Sequence, residues 1–267
     1  MPSEEKKQEV IHTKIWREEP EPDNPFAAQK CFCAGYDVYG DLLGKVSWIE
    51  YLYLLFKLEK PTKEQAQLLE TIAVAIANPG IRDHSVRAAM NAGVGGSTSA
   101  SALMAALAVG AGQYGGAREV YLVMHLWEQC GQNLDKWIET LSNPDKEDRA
   151  DIWLPMEHPP GFDPNGVTCP TPILQILSTL ASLSKADSNL HWLVENRSCL
   201  ENAVEIPLAL SGVVAAAFAD LKFTQEQGEM LFLILRLPGA SVHSLEQRKY
   251  GWKKYPFFLD KIRLVNN

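Results

Sequence analysis

The chain has 267 residues, of which 46% are hydrophobic and 22% charged, so it can bury the core of one or two domains. Its net charge is −8 and its isoelectric point about 5.3; no basic stripe suggests nucleic-acid binding, and a charge of this sign does not favour anionic membranes. The five cysteines are odd in number, and the pair Cys31 and Cys33 lacks a second pair at zinc spacing. This pattern predicts reduced thiols in a cytoplasmic protein and no metal site.

The first half of the chain predicts a polar start followed by helices. Residues 1–25 are acidic and contain three prolines, which predicts a flexible segment rather than a signal peptide. Apolar periodicity then predicts a helix in "SWIEYLYLLFKLEKP" and another in "PTKEQAQLLETIAVAIANPG". Thr62 and Gln65 form a capping box for the second helix, and Asn78-Pro79-Gly80 ends it. Further helices are predicted at about 84–92, 97–111, 115–129 and 133–142.

The second half begins with a long loop. Residues 141–172 are rich in proline and glycine, and an unstructured connection of this length is often functional. Helices are then predicted at 173–185, 190–200, 211–221 and 224–250, the last broken near Pro238-Gly239, before a tail at 251–264. No segment alternates with a period of two, so the sequence predicts an all-α protein without a transmembrane helix.

Gly110, Gly112 and Gly115 form a G-x-G-x-x-G pattern. This pattern binds dinucleotides only when a strand precedes it and a helix follows. The preceding run "STSASALMAALAVGA" is rich in Ala, Leu and Met, so it predicts a helix. The glycines therefore indicate the end of one helix and a tight turn before the next.

Two predicted helices, Ser97–Ala111 and Ser211–Ala219, are rich in Ala, Ser and Gly. Small side chains let helix axes approach closely. These segments predict tight helix packing in a core or in a dimer interface.

Five stretches together resemble the short citryl-CoA lyase branch of the citrate synthase superfamily, which includes the C-terminal module of ATP-citrate lyase. Residues 35–80 resemble its N-terminal segment, and "SALMAALAVGAGQYGGAREV" its small-residue helix and Gly-Gly-Ala turn. "LPMEHPPGFDPNG" resembles the G-x-G-H loop and following D-P-R, "LALSGVVAAAFADLKFT" the N-V-D-G helix, and "LFLILRLPGASVHSLEQ" the closing arginine segment. Order and spacing match from about residue 34 to 257.

The resemblance implies a citrate synthase-like helical fold with two domains. A large domain would comprise residues 26–114 and 209–267, a small domain residues 115–208, and residues 1–25 would form the flexible segment. The resemblance also implies a homodimer or tetramer through the small-residue helices, and a cleft that binds a CoA thioester and a dicarboxylic keto acid. Coenzyme A would be part of the substrate, with no tightly bound cofactor.

The family makes or breaks a carbon–carbon bond between acetyl-CoA and oxaloacetate. This chemistry needs a base for the thioester methyl, a donor for the enolate, and further donors that hold the keto acid and its carboxylates. The resemblance assigns catalytic positions to His158, in the G-x-G-H loop, and to Ser211, which stands where the family has its aspartate. Glu157 is a candidate substitute carboxylate, and Glu205 is a second one.

The resemblance also assigns four substrate-binding positions: Arg236, Tyr114, Asn165 and His243. Arg236 lies in an apolar run, so it needs either a ligand carboxylate or a structural ion pair. Tyr114 stands where synthases have a histidine, and Asn165 where the family has the arginine of D-P-R.

Ser211 in place of the family's aspartate and Asn165 in place of its arginine both affect the parent reaction. Three hypotheses for the function of the chain remain. The first is a citryl-CoA lyase-like enzyme. The second is a catalytically degenerate homologue that binds CoA esters or dicarboxylates. The third is a structural subunit.

Overall fold

The computed structural model describes residues 12–142, 156–251 and 253. In these residues ten α-helices follow a short β-sheet, and the predicted all-α class is confirmed. The helices are α1 (Trp48–Lys57), α2 (Lys63–Ile76), α3 (His84–Val94), α4 (Ser99–Gly110), α5 (Ala117–Cys130), α6 (Leu134–Ser142), α7 (Thr171–Ser182), α8 (Asn189–Val204), α9 (Leu210–Asp220) and α10 (Gln225–Tyr250). Residues 1–11 of the predicted flexible segment, 143–155 of the predicted loop, and 252 and 254–264 of the tail lie outside the described residues.

The sheet corrects the expectation that the chain has no strand. Strands β1 (Arg17–Glu21), β2 (Asn24–Cys33) and β3 (Tyr36–Asp37) pair antiparallel in that order. Most residues of β1 and β2 are exposed on both faces, so the sequence lacks the apolar alternation that marks a half-buried strand. The register shifts on both sides of Pro20, where an irregular pairing tolerates the missing N–H.

The chain divides into two compact units, Met1–Gln67 and Leu68–Asn267. The first unit has a small core around Cys33, Leu42 and Leu54. The domain boundaries implied by the family resemblance, at residues 115 and 208, stay a prediction.

Helix α9 is the most buried helix of the second unit. Its residues Ser211 to Phe218 are all buried, and it packs against α5, α7 and α8. A Cβ at Gly212 would lie 2.7 Å from the carbonyl oxygen of Gly161, so glycine lets the 156–170 loop approach the start of α9. The prediction that this small-residue helix packs closely is confirmed.

Helix α10 continues through the proline where a break was predicted. It runs from Gln225 to Tyr250 as one helix that contains Pro238. The next residue, Gly239, donates its N–H to the carbonyl of Ala77 at 2.7 Å, and a Cβ at Gly239 would lie 2.5 Å from that oxygen. Beside Pro238, the helix α10 is therefore hydrogen-bonded to the residue that follows α2.

The glycine pattern forms the predicted helix end and turn. Helix α4 ends at Gly110, Gly115 has a left-handed φ of +66°, and Gly116 caps the start of α5. A helix rather than a strand precedes the turn, which removes the structural basis for dinucleotide binding.

Three tryptophans pack together where α5, α6 and α8 meet. The rings of Trp127 and Trp137 lie 4.8 Å apart between centroids, and those of Trp127 and Trp192 lie 5.4 Å apart, both edge to face. The indole N–H of Trp137 donates to the carbonyl of Gly131 at 2.8 Å. Such aromatic contacts hold the three helices in a fixed relation.

All five cysteines are free thiols. Within the described parts of the chain, no helix combines the length and the apolar character needed to cross a bilayer.

Candidate functional site

A buried carboxylate that was not singled out in the sequence organises the candidate site. Glu119 lies in the first turn of α5 and is only 1% exposed. Its Oε2 accepts the N–H of Gly115 at 2.5 Å. Its Oε1 accepts the N–H of Gly161 at 2.8 Å and the hydroxyl of Ser211 at 3.0 Å. Glu119 therefore joins the glycine turn, the 156–170 loop and the start of α9.

The sequence contains a signal that would have found Glu119. It is four residues before Val123 and eight before Trp127, both buried on α5. Residues at this spacing share one face of a helix. A carboxylate on the apolar face of a helix needs buried donors.

His158 lies beside this carboxylate. Its Nε2 is 3.9 Å from Glu119 Oε1, and its side chain is 6% exposed. Its other ring nitrogen, Nδ1, is buried and has no hydrogen-bond partner among the described residues. The ring of Tyr114 packs against the imidazole at 5.6 Å between centroids. The structure therefore places His158, Ser211 and Tyr114 around Glu119.

Ser211 occupies the second position of α9, the position at which the resembled family has its aspartate. Its hydroxyl donates to Glu119. The carboxylate beside His158 thus comes from α5 instead of α9. Glu157 and Glu205, the two candidate substitutes, are both exposed, and their role as a substitute carboxylate stays a prediction.

Arg236 forms the ion pair that was one of its two predicted environments. Its Nη2 binds Asp83, the residue that caps α3, and its Nη1 donates to the carbonyl of Gly115 at 3.1 Å. Burial lowers the pKa of Arg236, and the charge of Asp83 opposes that change. Its Nε is buried without a hydrogen-bond partner in the described chain. The predicted substrate-binding role of Arg236 stays a prediction.

The two remaining predicted site residues lie elsewhere. Asn165 is exposed, and its N–H donates to Asp163 at 2.9 Å in the loop. His243 Nε2 lies 3.0 Å from Asn78 Oδ1. The structure records no contact of either residue with His158 or Glu119, and their substrate-binding roles also stay predictions.

The structure of citryl-CoA lyase from Hydrogenobacter thermophilus aligns with a TM-score of 0.72 over 97% of this chain and 96% of that chain, at 17% identity. The chain has the citrate synthase-like fold of citryl-CoA lyases. The family resemblance of its motifs is thereby confirmed for the fold.

Two further structures show the same citrate synthase-like fold. ATP citrate lyase from Methanothrix soehngenii, solved in complex with citrate and coenzyme A, aligns with a TM-score of 0.72 at 17% identity. That alignment covers 98% of this chain and 42% of the lyase chain. Citrate synthase from Thermotoga maritima aligns with a TM-score of 0.62 at 19% identity, over 83% of this chain and 60% of that one. No family model and no curated protein matches the sequence.

Proposed function

We propose that this chain is a citryl-CoA lyase-like enzyme that makes or cleaves a carbon–carbon bond between an acyl-CoA and a keto acid. The parent reaction converts citryl-CoA into acetyl-CoA and oxaloacetate. The observation that carries the proposal is His158, whose nearly buried side chain lies beside the Glu119 carboxylate and whose Nδ1 has no hydrogen-bond partner within residues 12–142, 156–251 and 253. The fold shared with citryl-CoA lyase supports the reaction class.

In the cleavage direction, His158 would act as the base. Glu119 beside Nε2 favours the tautomer with its proton on Nε2, which leaves Nδ1 as the acceptor. The citryl hydroxyl gives its proton to Nδ1, and the carbon–carbon bond breaks. The hydroxyl carbon becomes the ketone of oxaloacetate, and the electron pair of the bond forms the enolate of acetyl-CoA. The His158 imidazolium then returns this proton to the enolate carbon, which gives the methyl group of acetyl-CoA and regenerates the neutral imidazole.

Glu119 and Ser211 would support this step without touching the substrate. The Glu119 carboxylate, 3.9 Å from Nε2, would orient the imidazole of His158. The Ser211 hydroxyl binds Glu119 Oε1, the oxygen that also faces His158. This contact fixes the direction of the carboxylate.

The substrate-binding part of the proposal follows the family resemblance. Arg236 would donate to a substrate carboxylate through Nε, which has no hydrogen-bond partner in the part of the chain that the structure describes, and Tyr114 would pack against the bound ester beside His158. Asn165 and His243 are proposed to bind the outer parts of the substrate. The free thiols support a reducing compartment and hence a cytoplasmic location.

Replacing His158 with Asn tests the reaction. Incubation of the purified protein with citryl-CoA is expected to release oxaloacetate, detected with malate dehydrogenase and NADH, and acetyl-CoA, detected by chromatography. General acid–base groups contribute about 10²- to 10⁴-fold to rate, so His158→Asn is expected to lose turnover by about that factor. The matched control is His125→Gln, at an exposed position of α5.

Wild-type turnover in His158→Asn would contradict the assignment of the base. A second candidate function, a CoA-ester or dicarboxylate-binding homologue without turnover, is favoured by one observation. The guanidinium of Arg236 is already paired with Asp83. Binding of coenzyme A and citrate in titration calorimetry, with no citryl-CoA cleavage by the wild type, would favour this second function.

The oligomeric state is a separate part of the proposal. Helix α4 has no charged residue and buries only Ala102, Ala106 and Gly110, while Met104 is 60% exposed. We infer that this surface forms the interface of a homodimer. Light scattering coupled to gel filtration is expected to give twice the 29.7 kDa chain mass for the wild type.

Met104→Glu should give one chain mass in the same measurement, because a carboxylate would be buried in the interface. Val167→Glu is the control, since Val167 is 96% exposed in the 156–170 loop. A monomeric wild type would overturn the dimer.

A further inference from the structure

A buried ion pair lies next to the candidate site without being needed for proton transfer in it. Asp83 and Arg236 are 153 residues apart in sequence, and their side chains are only 17% and 8% exposed. Asp83 also caps α3 by accepting the N–H groups of Ser85 and Val86. The carboxylate thus has two roles, one in its own helix and one opposite the guanidinium on α10.

The guanidinium of Arg236 is linked to the candidate site through hydrogen bonds at Gly115. Arg236 Nη1 donates to the carbonyl of Gly115, and the N–H of Gly115 donates to Glu119 Oε2. Gly115 is therefore held on one side by a cation and on the other by the central carboxylate. Its left-handed φ of +66° suits this two-sided contact, since glycine adopts it without steric cost.

The same turn carries the ring that packs on the histidine. Tyr114 directly precedes Gly115, and its ring lies 5.6 Å from the His158 imidazole. Both contacts of His158, the Tyr114 ring and the Glu119 carboxylate, therefore depend on where the turn lies.

We propose that Asp83 and Arg236 are positioning residues of the His158–Glu119 pair. Asp83 holds the guanidinium, the guanidinium holds the turn at Gly115, and the turn sets the Glu119 carboxylate and the Tyr114 ring. The kinetic part of this inference rests on the proposed function, whereas the geometric part does not.

A purely structural role for the ion pair has a different consequence. A pair that only ties α3 to α10 would lower the melting temperature when changed and leave the surroundings of His158 as they are. A positioning pair changes those surroundings in protein that is still folded. The experiment therefore has to observe the imidazole itself.

Two variants separate the contacts. Asp83→Asn keeps a good helix cap, because Asn caps helices as well as Asp, but removes the negative charge opposite Arg236. Arg236→Lys keeps the positive charge opposite Asp83, but its single ammonium lacks the planar fork that reaches both Asp83 and Gly115. Thr98→Ala is the control, since Thr98 caps α4 and has no recorded contact with Arg236.

The readout is the ring-proton NMR signal of His158. The chain has six histidines, and the signal is assigned by its disappearance in His158→Asn. Tyr114→Leu shows the contribution of the tyrosine ring to its chemical shift. In Asp83→Asn and Arg236→Lys the signal is expected to move toward its position in Tyr114→Leu or to broaden, and in Thr98→Ala it is expected to stay.

The kinetic measurement follows the same variants. A misplacement of about 1 Å can cost about 10²-fold in rate, so kcat for citryl-CoA is expected to fall toward that factor in both variants. KM is expected to stay unchanged in Asp83→Asn, and to rise in Arg236→Lys because that variant also loses the proposed Nε contact with the substrate. A His158 signal at its wild-type position in both folded variants would overturn the positioning role. A displaced signal in a protein that does not cleave citryl-CoA would retain the positioning role and reject the proposed reaction, so the two failures are distinguishable.

Discussion

Glu119→Ala is expected to lower the free energy of unfolding by about 3 kcal/mol or more. The substitution leaves two buried donors, the N–H of Gly161 and the hydroxyl of Ser211, without their acceptor, and it also removes the part-buried acceptor of the Gly115 N–H. Each buried group that loses its partner costs about 1–3 kcal/mol, and only the serine hydroxyl can rotate to find another. The value is measured by urea denaturation followed by circular dichroism.

Two further variants sharpen the Glu119 measurement. Glu119→Gln keeps the shape of the side chain but turns an NH₂ group toward one of the donors, so it is also expected to destabilise. Glu128→Ala on the same helix removes a carboxylate that is 69% exposed, and exposed ion pairs contribute about 0–1 kcal/mol. If Glu119→Ala unfolds at the same urea concentration as Glu128→Ala, the carboxylate does not organise the site.

Gly116→Ala is expected to have a similarly large effect on folding for a different reason. A Cβ at Gly116 would lie 2.1 Å from the carbonyl oxygen of Gly112 and 2.7 Å from that of Gly110. Both atoms belong to the backbone, so the turn itself would have to move. The free energy of unfolding is expected to fall by about 4 kcal/mol or more, a loss that single substitutions reach only through a severe change such as this steric conflict.

The matched control is Gly112→Ala in the same turn. Its added Cβ would lie 3.3 Å from the carbonyl oxygen of Val109, which a small adjustment relieves. Its expected cost is about 1 kcal/mol, measured in the same urea titration. Equal costs for the two substitutions would contradict the role of close approach at Gly116.

The sequence predicted the helices because their signals are local. The Thr62/Gln65 capping box, for example, is present, with hydrogen bonds of 2.8 and 3.2 Å between the two residues. The hairpin was missed because strands exposed on both faces carry no apolar alternation. The contact that α10 makes beside Pro238 is with the distant carbonyl of Ala77, which a local pattern does not show.

The candidate site was predicted only where the family motifs name a position. His158, Ser211 and Tyr114 were selected in this way, and the structure brings them together. The carboxylate itself was missed, although Glu119 lies within the quoted Gly-Gly-Ala stretch, because its contacts with Gly161 and Ser211 join residues that are 42 and 92 positions away in sequence. Asp83 and Arg236 are 153 residues apart in the chain, so no local sequence pattern predicts that they pair.

The glycine turn also shows how one residue type serves two physical purposes. Gly115 has a left-handed backbone, which is the usual reason for glycine in a turn. Gly116 has an extended backbone, with φ of −101° and ψ of −173°, that any residue could adopt. Glycine is needed there because a Cβ would collide with backbone atoms of Gly112 and Gly110. Such a collision can be recognised only in the folded structure.

The three packed indoles give this protein an optical reporter that needs no label. Trp127 is eight residues after Glu119 on α5, about 12 Å along the helix axis at the usual rise. A substrate that shifts α5 moves this ring against Trp137 and Trp192, and the wavelength and intensity of indole fluorescence change with the surroundings of the ring. If substrate binding near Glu119 shifts α5, the stopped-flow emission of the unmodified chain is expected to change, with Trp127→Phe separating this signal from that of the other six tryptophans.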